Sequence, residues 1–96
     1  MLEGAFQNKV LNYLKTVVGG HWIKIHASSY QSTGEPDIVG CYKGRFYGLE
    51  LKRPDGKGKA SVKQIQKLSS IRREGGIAMV IDNMETLKQL FDDSSN

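Results

Sequence analysis

Cysteine is almost absent from this 96-residue chain: Cys41 stands alone. A single thiol excludes an internal disulfide and a cysteine-based zinc site, and Cys41 is expected as a small buried side chain in a strand. No apolar run approaches membrane-spanning length, and the start lacks a signal-peptide pattern, so no membrane is expected and the cytosol is the default compartment. There is no internal repeat, linker or low-complexity segment. At this length the expectation is one compact domain over residues 1–96 with a modest core and no room for separate substrate and catalytic domains. A large substrate would lie across its surface or across two copies. Lys and Arg outnumber Asp and Glu by 14 to 10, a formal +4. That balance is compatible with nucleic acid and is weak evidence alone.

Apolar periodicity orders the rest. Leu2, Phe6, Val10, Leu14 and Val17 recur at helical spacing up to Gly19-Gly20, which predicts a helix over 2–18. Ile23, Ile25 and Ala27 alternate with Trp22, Lys24 and His26, the pattern of a strand, and Ser28 to Glu35 reads as a polar loop. Trp22 is expected against a helix or at a dimer interface, and His21 and His26 have no metal-ligand spacing. Two strands, Pro36 to Tyr42 and Arg45 to Lys52, flank the turn signal Lys43-Gly44. Pro54, Gly56 and Gly58 mark Arg53 to Ala60 as a loop. Val62, Ile65, Leu68 and Ile71 give a second helix closed by Gly75-Gly76, Ile77 to Ile81 a buried strand. Asp82 and Glu85 have capping-box spacing for a last helix, with a frayed tail from Asp92. The order α-β-β-β-α-β-α predicts an α/β fold, one mixed sheet flanked by helices.

Chemistry concentrates in Gly34-Glu35-Pro36-Asp37 and in Glu50-Leu51-Lys52. Residues two apart in a strand share a face, so Glu50 and Lys52 point one way and Leu49 and Leu51 the other. A hairpin closed at Lys43-Gly44 sets residues whose numbers sum to about 87 opposite one another, and so pairs Asp37 with Glu50. Two carboxylates sharing a face suit magnesium or manganese, with the Leu51 carbonyl as a third oxygen. Such an ion activates water and neutralises charge on a scissile phosphate. Lys52 would orient that water or stabilise the pentavalent transition state. The bland alternative is an edge-strand ion pair of Glu50 and Lys52, with Asp37 merely opening a strand after Pro36. A bare Glu-x-Lys carries little information; Pro-Asp, a hairpin and then Glu-x-Lys is much rarer.

With these residues in place the chain resembles the PD-(D/E)xK nuclease superfamily and, within it, the VRR-NUC (virus-type replication-repair nuclease) family. The likeness runs from Glu3 in the first helix through Gly34 to Asp37, Glu50 to Lys52, Gln64 and Gly75-Gly76. It implies a restriction-endonuclease-like core and a magnesium- or manganese-dependent, structure-selective DNA endonuclease. It also implies a homodimer working on branched DNA, including four-way junctions, in a bacterial or virus-infected cell. Carried over by position, Asp37 and Glu50 would be metal ligands and Lys52 the catalytic lysine. Glu3 would be an extra acidic residue reaching the site, and Gln64 would touch the site or its water. Glu3 is equally well placed to favour a helix N-terminus, and Gln64 to complete a capping box with Ser61.

Arg53, Lys57, Lys59, Lys63 and Lys67 follow Lys52 through a Gly-rich loop into a helix, where Lys63 and Lys67 share a face. Phosphate contacts of this kind position a nucleic acid without reading its sequence. A solvated charged face is the ordinary explanation of such a run. Tyr30 is a candidate for stacking on an unpaired base. Two other functions remain open at this point. One is a non-catalytic DNA-binding module of the same fold, and the other a nuclease of flaps, single-stranded ends or RNA.

Overall fold

Lys43 (φ +52) and Gly44 (φ +77) both have left-handed backbone, the combination that a tight two-residue hairpin turn needs. They join β2 (Ile38–Tyr42) to β3 (Arg45–Leu51) in the register Ile38↔Leu49, Gly40↔Tyr47 and Tyr42↔Arg45. The computed structural model describes residues 3–26, 34–55 and 58–94. Around the hairpin, β1 (His21–Lys24) pairs antiparallel with β2, and β4 (Ile77–Ile81) pairs parallel with β3. The four-stranded mixed sheet therefore has the order β1-β2-β3-β4. A parallel neighbour requires a crossover, and α2 (Val62–Arg73) supplies it. The remaining helices are α1 (Glu3–Tyr13) and α3 (Met84–Ser94). This is the expected α/β order. None of the helices among the described residues is long and apolar enough to cross a membrane.

Strand alternation divides the sheet into two unlike faces. One carries Ile38, Tyr47, Leu49, Leu51 and Ile81, which bury against Phe6, Val10 and Leu14 from the first helix and Leu87 and Phe91 from α3. The other carries Asp37, Gly48, Glu50 and Ala78, and α2 lies over it. Gly48 makes that approach possible: a Cβ there would sit 2.7 Å from Ile71 Cδ1 and 3.2 Å from Pro36 Cγ. Arg72 Nε ties α2 to β4 by donating to the Ala78 carbonyl at 2.7 Å.

Several local expectations are corrected. The first helix ends in a π-helical turn, Leu14–Val18, where the Gly19 N–H donates to the Leu14 carbonyl five residues back at 2.9 Å. The wider turn takes Val17 off the apolar stripe, leaving it 64% exposed, and brings Val18 against the core. In β1, Trp22 faces the core at 4% exposure and Ile23 faces outward at 49%. Gly40 directly opposite has no side chain, and the indole fills that space, edge-on to Tyr47 and Phe91 with ring centroids 5.5 and 5.8 Å away. Trp22 therefore packs on a helix, one of the two expected places. Cys41 is exposed rather than buried, because it lies on the α2 side of β2, which points away from the main core. The cap of α3 is Asn83, whose Oδ1 accepts from the Thr86 N–H at 2.8 Å, and not Asp82. The helix also continues past Asp92 to Ser94.

Candidate active site

Continuing the β2–β3 register by one residue sets Asp37 across from Glu50, so both carboxylates lie on the α2 face. Two hydrogen bonds fix Asp37 at the start of its strand. Its Oδ2 accepts from the Leu51 N–H at 2.8 Å, and its carbonyl accepts from the Ile25 N–H at 2.8 Å. The first of these also shows which way Leu51 is turned. In extended backbone the N–H and C=O of one residue point to the same edge, so the Leu51 carbonyl opens toward Asp37.

Glu50 is only 1% exposed, an unusual position for a carboxylate. Its two oxygens have different surroundings. Oε2 accepts from Gln64 Nε2 at 2.7 Å and lies 3.2 Å from Lys52 Nζ. Oε1 is buried and has no hydrogen-bond partner. Burial, and next the neighbouring charge of Asp37, push the Glu50 carboxyl up from 4.5 to about 7, against the lowering pull of Lys52. An orphaned oxygen on a buried carboxyl that also feels a second carboxylate is costly in a protein that leaves it so. A hard divalent cation held there would remove the cost, since it binds oxygen and would screen the repulsion.

The donor set fits magnesium or manganese: two carboxylates, Asp37 and Glu50, and the adjacent carbonyl of Leu51. Among the described residues there is no group of three or more His, Cys, Asp or Glu that could hold a metal by itself. Magnesium typically needs no such cage, taking one or two carboxylates and leaving other positions to water and substrate phosphate. Lys52, with its side chain 15% exposed, lies at the rim of this cluster.

Gln64 serves two structures at once. Its Oε1 accepts from the Ser61 N–H at 2.8 Å while Ser61 Oγ accepts from the Gln64 N–H at 3.2 Å, a complete capping box at the start of α2. The cap consumes the amide oxygen and leaves the amide nitrogen to donate to Glu50. Capping the helix and touching Glu50 are therefore compatible in one side chain.

The other expected residues are more scattered. Glu3 opens α1, but its side chain lies outside the described residues, as do Tyr30 and Lys57. Lys59 and Lys63 are exposed near the start of α2. Arg53 is ion-paired with Asp55, and Lys67 with Glu35 at 2.9 Å. The last two cations are thus engaged within the protein, which spacing along the chain does not show. The capping box expected of Ser61 and Gln64 is present, whereas the pairing of Glu35 with Lys67 had no signal in the sequence.

No protein-family model matches the chain, and no curated protein matches it. A solved structure described as a VRR_NUC domain protein superposes on it with a TM-score of 0.77, covering 95% of this chain and 88% of that one. The fold is that of a VRR-NUC domain. Sequence identity in the superposition is 19%, so what the two share is backbone architecture. In this VRR-NUC fold the hairpin and α2 converge on the Asp37–Glu50 pair.

Proposed function

We propose that this chain is a nuclease: a magnesium- or manganese-dependent endonuclease that hydrolyses phosphodiester bonds in branched DNA, such as four-way junctions, as a homodimer. The observation that carries the reading is the divided environment of Glu50. One oxygen is held by Lys52 and Gln64. The other is buried without a hydrogen-bond partner, in a carboxyl that feels the charge of Asp37. Asp37, Glu50 Oε1 and the Leu51 carbonyl would hold the cation. When bound, it supplies an activated water and offsets charge on the scissile phosphate. Lys52 places an ammonium at the rim of the same cluster, where it orients water and stabilises negative charge gathering on the phosphoryl oxygens. Gln64 holds Oε2 and so leaves Oε1 available to the cation.

Substrate and assembly rest on shape and charge. Lys59 and Lys63 offer phosphate contacts, which position DNA without reading bases and so favour structure over sequence. Two symmetric cuts in a junction need two symmetric sites, the geometry of a two-fold dimer. The reading takes residues 1–96 as a single domain, compact enough to need that second copy.

Purified protein with magnesium or manganese is therefore expected to nick a four-way junction in preference to linear duplex, flaps, single strands or RNA. Asp37→Asn, Glu50→Gln and Lys52→Met should each lose cleavage while still binding DNA. Salt-sensitive binding without turnover in any divalent metal would instead make this a binding module. Undiminished cutting by Glu50→Gln would overturn the site itself.

A further inference from the structure

The segment leading into Asp37 is laid along one row of α2. Gly34, at φ +91, lies so close to Lys63 that a Cβ would meet its backbone carbon and oxygen at 2.9 Å. One turn on, the Glu35 carboxylate pairs with Lys67 at 2.9 Å. One turn further, Ile71 closes over Gly48 together with Pro36. Lys63, Lys67 and Ile71 are spaced four apart and form one ridge of the helix. Glu35 is thus fixed on both sides, by Gly34 and by Pro36, and its side chain is held against Lys67.

We propose that Glu35 is a built-in competitor of DNA phosphate for Lys67. The inference rests on the nucleic-acid reading above. Lys63 and Lys67 share a face, and Lys67 already has an anion, the Glu35 carboxylate, against its ammonium. Both members of the pair remain partly exposed, at 39% and 41%, so the pair is open to exchange rather than sealed. A phosphate arriving beside the candidate site must displace Glu35 to engage Lys67, and it also meets the charge of Glu35 itself. The pair therefore lowers the count of cations available to an arbitrary DNA backbone. It favours a substrate held firmly by its other contacts. Because Glu35 is two residues from Asp37, the exchange takes place at the edge of the reaction centre.

The test is the salt dependence of DNA binding by the full chain, measured by fluorescence anisotropy with a labelled four-way junction and a linear duplex. Glu35→Gln releases Lys67 to phosphate, so the plot of log affinity against log salt should steepen by about 0.9. Between roughly 50 and 200 mM salt the variant should lose about 3.5-fold more affinity than the wild type does. In Glu35→Gln/Lys67→Met the slope should return to the wild-type value. An unchanged slope in Glu35→Gln, with lowered thermal stability, would show a merely structural staple and overturn the proposal. So would a steepening that survives the loss of Lys67. If the wild type shows no salt-sensitive binding at all, the nucleic-acid reading fails first and takes this inference with it.

Discussion

Replacing Glu50 by glutamine should stabilise the metal-free protein at alkaline pH, although it removes a residue at the centre of the site. The Glu50 carboxyl is held at about 7, raised from 4.5, chiefly by burial and then by Asp37. Between those two values the folded protein binds more protons than the unfolded chain, so stability falls as pH rises through the interval. Below about pH 4.5 the cost is absent, and above about pH 7 it is fully present. At about 1.4 kcal/mol per pKa unit the loss amounts to roughly 3–4 kcal/mol. For a domain of this size that corresponds to roughly 12–30 °C in Tm. The introduced amide resembles the protonated acid and cannot ionise, so in chelator the variant should keep its Tm between about pH 5 and 8 while the wild type declines. Adding magnesium or manganese at about pH 8 should raise the wild-type Tm by mass action and leave the variant nearly unmoved. Scanning calorimetry or fluorimetry over this pH range reads both effects. A wild-type Tm that is flat with pH, or a variant that declines in parallel, would refute the assignment of the buried charge.

Gly48→Ala should cost about 1–3 kcal/mol in denaturant unfolding, since its Cβ meets Ile71 Cδ1 at 2.7 Å, and Ile71→Val in the same chain should recover much of the loss. Gly40→Ala should be more severe and not repairable at one partner, because the new Cβ meets both the Trp22 ring and the His21 backbone carbonyl; circular dichroism melting would show it. Gln64→Leu removes the side-chain half of the capping box and the bond to Glu50 together, while the Ser61 hydroxyl still caps the backbone, and should lower stability by about 1 kcal/mol and slow cleavage. Gln64→Glu keeps an acceptor for Ser61 but sets a third carboxylate at the site, so it should slow cleavage with less loss of stability; kcat and KM for junction cleavage separate these outcomes.

The hairpin is legible in the sequence because local chemistry decides it. Lys43-Gly44 permits the turn, the turn sets the register, and the register brings Asp37 to Glu50. The order of elements follows from apolar periodicity for the same local reason. What escapes the sequence depends on contacts between distant residues. The direction of Trp22 is decided by the empty place at Gly40 on the next strand, and nothing in the alternation of β1 reveals it. The π-helical turn depends on a hydrogen bond from Gly19 to Leu14 that no residue type announces, so helical spacing misplaces Val17. The Asn83 cap is hidden because Asp82 offers an equally good spacing one residue earlier. The engagement of Lys67 depends on Glu35, which is far away in sequence and adjacent only after folding.

Anomalous diffraction from crystals grown with manganese tests the central claim most directly. A peak bound by the Asp37 carboxylate and Glu50 Oε1, with Oε2 still held by Lys52 and Gln64, is the predicted result. Manganese bound elsewhere, or an ordered Asp37–Glu50 pair that takes no metal at saturating concentration, would contradict it.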